Sequence, residues 1–417
     1  MSDRIEEAPP AEQSGKKNRS LLGPGALVTA AFIGPGTVTA CTLAGANFGY
    51  ALIWALVFAT VATIILQEMA ARLGVVSRQG LGTALMTMTD NPVLRWLMAG
   101  LVLSALFVGN AAYEAGNLSG AALGVQAALD DKQIPFEITI VAIALVAAVL
   151  LVSGHYKRIE RVLIGLVLVM AVCFVATAVI VRPDLGAILS GMKPSVPDGS
   201  LLTAVALIGT TIVPYNLFLH AAASRERWAD PTSLGAARAD VGISIGFGGL
   251  ISILIVSTAA SGLFATGLEV ETAGDMAQQL EPVFGPLAQV FMAAGLFAAG
   301  LTSAITAPMA TGYAVSEIFG WKGGVSGSGF RLVALTVIII GAVVGFFGIK
   351  PVNVIVFAQL ANGLLLPIIA IFLLVTMNRK KLLGVHTNGL VTNLLGGLVV
   401  LVSVGLGLRL ILRVLMG

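Results

Sequence analysis

Residues 32–40 read FIGPGTVTA, and they interrupt an apolar stretch, 21–47, that is otherwise long enough to cross a bilayer as one helix. Proline lacks an amide donor and glycine costs helix stability, so Gly34-Pro35-Gly36-Thr37 should unwind the backbone in the middle of the span. Hydrocarbon satisfies no freed backbone group, so such a break is tolerated only where it faces protein or a polar cavity. The stretch therefore predicts a solute site inside a helical membrane protein.

The composition agrees. Of 417 residues, 57% are hydrophobic and 11% charged, with a mean hydropathy of +0.96, which excludes an ordinary soluble domain and predicts an all-α, multi-pass membrane protein. Residues 1–20 are polar, mixed in charge and without the apolar core of a signal peptide, and read as a disordered cytoplasmic tail. Cys41 and Cys173 lie far apart in apolar spans without metal-ligand spacing and read as small core hydrophobes. A net charge of +3 gives no reason to expect a nucleic-acid partner. No P-loop, catalytic triad or metal cluster is present, so neither an enzyme nor a cofactor is expected.

Apolar runs fall near 21–47, 50–73, 93–127, 136–153, 162–181, 201–222, 241–267, 284–318, 331–348, 351–377 and 388–415, which predicts eleven membrane helices. With the N-terminus inside, 18 of the 24 basic residues fall on the cytoplasmic side, the bias expected of a protein in the plasma (inner) membrane. The C-terminus is then external. The segment 268–281 (LEVETAGDMAQQLE) carries four acids and no Lys or Arg, which suits an external loop.

A second break stands at GTTIVPYNLFLHAA (209–222), where Pro214 is followed by Tyr215 and Asn216. Pro35 and Pro214 occupy helices 1 and 6, five spans apart. Two five-helix repeats, 21–181 and 201–377, would then have opposite topologies, with 182–200 an external linker and 378–417 a cytoplasmic loop plus helix 11. Interrupted helices at matching places in two inverted halves mark a transporter's substrate site near the membrane midplane.

These residues resemble the Nramp metal transporters, which share the LeuT-type inverted-repeat (5+5) fold. LGPGALVTAAFIGPGTVTACTLAGANFGYALIWALVFAT (22–60) is similar to the family's helices 1 and 2, and GTTIVPYNLFLHAA to its helix 6. AGLTSAITAPMATGYAVSEIF (299–319) is similar to helix 8, and VFAQLANGLLLPIIAIFLLVTMNRKKLLG (356–384) to helix 10 and the loop after it. The resemblance implies eleven helices, with helices 1 and 6 unwound at mid-membrane. The family's metal-holding DPGN is Gly34-Pro35-Gly36-Thr37 here, and its MPH is Val213-Pro214-Tyr215. The Asp, Asn and Met ligands are thus Gly34, Thr37 and Val213, which leaves neither carboxylate nor thioether at the breaks.

A half-helix N-terminus relieved of the family's Asp favours an anion. The amides near Gly36, Thr37, Val38 and Thr39, the hydroxyls of Thr37, Thr210 and Thr211, the Tyr215 phenol and the Asn216 amide supply donors for a small oxyanion. With no Lys or Arg in these segments, a monovalent species fits better than a divalent anion, and bicarbonate is the expected substrate. This reading is of a secondary transporter working by alternating access, not a transition-metal transporter. The alternative is a hydrated divalent cation such as magnesium, held through Thr37, Asn216, Gln359 and backbone carbonyls. The threonines alternatively bond only their own helix carbonyls.

Gln359 keeps a family glutamine that approaches the substrate, and Asn362 lies three residues on, facing nearly the same way. Glu114 is the acid placed deep in a span, and it matches a helix-3 Glu of the family's proton route, although the Asp expected one turn earlier is Ala111. His220 matches the family's second helix-6 histidine and is a candidate proton carrier beside Glu114, or else a packing residue. The partners expected are thus a small inorganic ion, a coupled proton or sodium, and lipid. Glu68 and Arg72, at helical i,i+4 spacing, predict an interfacial ion pair.

Overall fold

The computed structural model describes residues 23–25, 29, 33–129, 134–153, 156–228, 230–264, 266–347 and 350–416, with the side chains of 156–158 and 413–416 excepted. The expected tail 1–20 and His155 lie outside the described residues, as does most of the first half of helix 1. All regular structure among the described residues is helical.

Both predicted breaks are present, and proline chemistry sets their geometry. Clash with the proline ring pushes the preceding residue out of the helical region, and proline itself suits the first turn of the next helix. Gly34 is accordingly extended (φ −97°, ψ −177°) and caps α1, Pro35–Phe48. Val213 is extended too (φ −87°, ψ 118°); before it α8, Leu201–Thr211, ends, and after it α9, Pro214–Arg227, begins.

Between the breaks run α2 (Ile53–Ser77), the short α3 (Leu81–Met86), α4 (Pro92–Ala128), α5 (Phe136–Ser153), α6 (Tyr156–Val181) and the short α7 (Leu185–Gly191). After the second break come α10 (Leu234–Gly262), the short α11 (Ala273–Ala277), α12 (Leu287–Phe319), α13 (Ser328–Phe346), α14 (Pro351–Met377) and α15 (Leu390–Met416). Among the described residues ten spans are long and apolar enough to cross a membrane, with α8 and α9 together forming one. Of the predicted helix 1, the described residues carry the second half as the 14-residue α1.

The core is built around α4, which packs along α12, α14 and α13, while α10 packs on α1 and α2. The outer helices turn large apolar side chains outward: Val141, Leu145 and Val149 on α5 and Val172 and Val179 on α6 are all exposed. A continuous apolar belt of this kind has lipid, not water, as its solvent. The chain is a multi-pass membrane protein.

α10 starts seven residues before the apolar run predicted at 241, because its charged first turns are satisfied by partners. Arg238 Nε donates to Glu68 Oε1 at 2.8 Å, and Asp240 Oδ2 accepts from the Gly25 amide at 2.6 Å. The predicted Glu68–Arg72 pair forms at 3.1 Å, and Arg72 also donates to Asn388 Oδ1 and to the His386 carbonyl.

The acidic loop 268–281 contains a structure that composition did not reveal. Thr272 and Asp275 form a reciprocal capping box that starts α11. The segment folds down onto the bundle, burying Met276, Gln279 and Leu280. Gln279 Nε2 donates to Thr42 Oγ1 of α1 at 2.9 Å and to the Met276 carbonyl, while Gln279 Oε1 accepts from Thr258 of α10. One amide thus fastens the loop over α1 as a lid. Gln279→Leu is expected to cost about 1–3 kcal/mol by stranding these partners. A lowered melting temperature, with faster labelling of a Thr42→Cys thiol by a water-soluble reagent, is the check; unchanged labelling would show that the packing of this segment does not depend on Gln279.

Candidate functional site

The two breaks meet. Thr37 Oγ1, on the first turn of α1, lies 2.9 Å from Thr210 Oγ1, on the last turn of α8, and both are fully buried. α14 closes the third side through Gln359. A Cβ built on Gly36 would fall 2.1 Å from Gln359 Nε2, and one built on Gly209 would fall 2.0 Å from the Gln359 carbonyl oxygen. The absence of side chains at these two positions lets three backbones converge.

The polar groups here are poorly satisfied by the protein itself. Asn216, on the first turn of α9 and 1% exposed, has no hydrogen-bond partner for either Oδ1 or Nδ2. Gln359 donates to the Ile355 carbonyl at 3.3 Å, and its Oε1 has no partner. Asn362, one helical turn on, has an unpartnered Nδ2 and turns its Oδ1 toward Gly109 of α4. Tyr215 packs edge-on against Tyr113 of α4, ring centroids 5.5 Å apart. Leaving a buried polar atom unpaired costs about 1–3 kcal/mol, so a cluster of them marks a place where another species supplies the partners.

Other expected residues turn elsewhere. Thr211 Oγ1 donates back to the Leu207 carbonyl at 3.0 Å, the local bond that competes with any ligand role. Thr39 Oγ1 faces Met276 Sδ of the lid at 3.8 Å. Val213 contributes its carbonyl, which accepts the Asn216 amide at 3.1 Å. The Thr37 and Val38 amides both point at the Gly34 carbonyl, at 3.1 and 3.3 Å. Those amides are committed to starting α1, so the break presents fewer free donors than unwinding alone implies.

Glu114 and His220 are not brought together. Glu114 is wholly buried against Gly341 of α13, accepting from Asn117 at 3.5 Å, with Oε1 unpartnered. His220, also wholly buried, places Nδ1 2.8 Å from Gln67 Oε1 on α2. Gln67 and Asn110, whose Nδ2 reaches Thr311 Oγ1 at 2.5 Å, are buried polar residues near the site that the sequence reading missed. An amide inside an otherwise apolar span was the available signal.

The donors converging at the breaks are two threonine hydroxyls, the Asn216 and Gln359 amide oxygens and the carbonyl end of α8. All are neutral oxygens, and among the described residues no group of three or more His, Cys, Asp or Glu side chains is placed to hold a metal. Oxygen sets of this kind suit hard cations, and the C-terminal end of a half-helix adds partial negative charge. Thr37, Thr210, Asn216, Gln359 and Asn362 are each at most 1% exposed, so the site is closed to both membrane faces in this conformation.

Comparison with known proteins bears on the same question. A family model for natural resistance-associated macrophage protein-like sequences matches residues 25–413. The divalent metal cation transporter MntH of Yersinia pestis is 26% identical over 408 residues, covering 95% of each chain. The crystal structure of a mutant manganese transporter from Eremococcus coleocola superposes with a TM-score of 0.77 at 21% identity, over 97% of this chain and 88% of that one. MhsT in complex with L-phenylalanine superposes with a TM-score of 0.60 at 14% identity, over 93% and 97%. The fold is the LeuT-type inverted repeat.

These findings correct the expected substrate. Relatives spanning nearly the whole chain are named divalent metal cation transporters, which overturns both the bicarbonate reading and the exclusion of a transition metal. The physical reason lies at the break: the Thr37 and Val38 amides, two of those that were to hold the anion, are spent on the Gly34 carbonyl, and the groups left over include the Asn216 and Gln359 amide oxygens, which accept rather than donate. The protein is a transporter and not an enzyme, and with 389 of its residues matched by one model, the chain belongs to the natural resistance-associated macrophage protein-like (Nramp) family.

Proposed function

We propose that this protein moves a divalent metal cation across the plasma membrane by alternating access, binding it at the meeting point of the two breaks with part of its water shell retained. The observation that carries this reading is the set of buried neutral oxygens without protein partners, Asn216 Oδ1 and Gln359 Oε1, beside the Thr37–Thr210 contact. Without a carboxylate or sulfur ligand, the site favours hard ions such as manganese and magnesium over soft ones such as cadmium. Retained water offsets the missing protein ligands.

The basic bias of the loops supports a cytoplasmic N-terminus and an external C-terminus. Residues 21–181 and 201–377 are taken as the two inverted repeats, joined by 182–200 and followed by 378–417. A divalent cation entering an inside-negative cell gains about 4.6 kcal/mol per 100 mV, twice the value for one charge, so uptake proceeds without obligatory coupling. Proton dependence, where present, is assigned to Glu114, since His220 is engaged with Gln67. Glu114→Gln is then expected to flatten the pH profile of uptake with gel-filtration behaviour unchanged; a retained profile would remove Glu114 from that role.

The decisive test is uptake of manganese, magnesium and cadmium into proteoliposomes under an imposed potential, alongside Gly34→Asp. Gly34 is extended, a conformation open to any residue. The added carboxylate at the break is expected to tighten manganese binding by about ten- to a hundredfold, or roughly 1.4–2.8 kcal/mol. Potential-driven uptake of manganese or magnesium above protein-free vesicles supports the reading. No such uptake by the parent, or weaker binding in Gly34→Asp, would reject it.

A further inference from the structure

On the lipid-facing side of the bundle, α4, α5 and α12 leave two adjoining cavities. The wider, about 550 Å³, lies between the end of α4 and the start of α12, lined by Gly124, Ala127, Ala128, Ala293 and Ala294, with Gln289. The narrower, about 230 Å³, lies against α5 and is lined by Ile138, Thr139, Ala142, Ile143, Val146 and Leu301. Val125 and Phe297 line both, so the two form one groove, and neither break contributes a residue to it. Small residues create it. A Cβ built on Gly124 would fall 2.5 Å from the Ala293 carbonyl oxygen and 2.6 Å from the Phe297 amide nitrogen, so α4 and α12 touch by their backbones. The alanines on either side of that contact carry too little volume to fill the angle between the helices.

The groove changes in character along its length. α5 has 18 residues, close to the least that crosses the hydrocarbon core, so Phe136 at its start marks the edge of that core. The narrow cavity reaches Val146, ten residues or about 15 Å deeper, which is half of the roughly 30 Å core and the depth of one leaflet. Among the described residues its one polar lining side chain is Thr139, whose hydroxyl donates to the Pro135 carbonyl at 3.2 Å. The wide cavity takes no lining residue from α5 and sits beyond that edge, where Gln289 Nε2 donates to the Ala127 carbonyl at 2.9 Å. Neither part is lined by a charged side chain among the described residues.

We propose that the groove is a binding site for one acyl chain of a membrane lipid, laid along α5 with its ester end in the wide cavity beside Gln289. The occupant follows from what the groove opens onto. Ile138, Val146 and Val290 at its rim are exposed and continue the apolar belt of α5, for which lipid is the solvent. A chain in the groove is enclosed by three helices, whereas a chain elsewhere on the belt lies against the outside of the bundle. The enclosed chain keeps dispersion contacts along most of its length, which is what holds it through washing. With no charge in the lining, the chain and not the headgroup decides what binds.

The test uses the full chain in neutral detergent, with two arms. In the first, native mass spectrometry counts the lipid that survives detergent washing, with phosphatidylcholine and phosphatidylglycerol of identical chains supplied in equal amounts. One lipid per protein is expected, retained equally for the two headgroups. Ala142→Phe and Ala294→Phe place a ring in the narrow and wide cavities, and each is expected to lower retention about tenfold. Val172→Phe, on the exposed face of α6, is the control and should leave it unchanged. In the second arm the parent protein is irradiated with a phosphatidylcholine carrying a diazirine at mid-chain. Crosslinks concentrated in 138–146 and 297–301 support the site, and because this arm needs no variant it decides the matter where the substituted proteins fail to fold. Crosslinks spread evenly over the outer helices, or retention that neither groove substitution lowers in folded protein, overturn it. A dimer of the parent that Ala294→Phe dissociates would overturn it as well, by giving the groove to a second copy of the chain.

Discussion

Asn216→Leu is expected to abolish cation uptake while leaving the protein as stable as the parent or more so. The side chain is 1% exposed, and neither end of its amide has a protein partner. Leucine has a similar volume and removes two buried polar atoms, each of which costs about 1–3 kcal/mol when unpaired, so the melting temperature should hold or rise. The bound ion, however, loses an oxygen and meets a methyl group in its place. A loss near 3 kcal/mol corresponds to roughly a hundredfold fall in affinity, and uptake should drop to the level of empty vesicles at low ion concentration. Opposite signs in stability and transport identify a ligand; a fall in both would make Asn216 a structural residue instead.

Gly209→Val is expected to prevent folding outright. Its first added carbon would lie 2.0 Å from the Gln359 carbonyl oxygen and 2.7 Å from the Gly363 amide nitrogen, and both obstacles are backbone. α8 and α14 would have to separate, at a cost above the roughly 1–3 kcal/mol typical of overpacking a core. The check is loss of the monodisperse gel-filtration peak. Gly36→Ala makes the contrast, since its Cβ meets the far end of the Gln359 side chain, which has rotamers to retreat into. That variant should fold and yet lose uptake, because the retreat withdraws Gln359 from the ion. Equal behaviour of the two would mean that the approach of α8 to α14 is less tight than the structure has it.

The family resemblance and the two breaks were legible in the sequence because each rests on local chemistry. Pro35 and Pro214 reshape the residue before them whatever surrounds them, and long apolar runs set the spans by length alone. The identity of the substrate was misread for an equally physical reason. Counting amides freed by a break assumes that the chain stays unwound, whereas Gly34 recaptures two of them through its carbonyl within a single turn. Whether a donor is free is a matter of three-dimensional closure, and residue types do not report it.

Sequence by itself determined the membrane class, the positions of the spans, the breaks, and the loss of carboxylate and thioether at Gly34 and Val213. Only the tertiary structure decided which polar groups share a site. Thr37 meets Thr210 across 173 residues, while Thr211, the next residue along, turns back to its own helix. Glu114 and His220, paired by type in the sequence, face α13 and α2 respectively. Gln279, unremarkable in an acidic loop, becomes the clasp of a lid because α11 folds onto Thr42 and Thr258. Helical periodicity fixes the direction of a side chain relative to its own axis, but the neighbour it meets depends on how separate helices pack, and that packing is a property of the whole bundle.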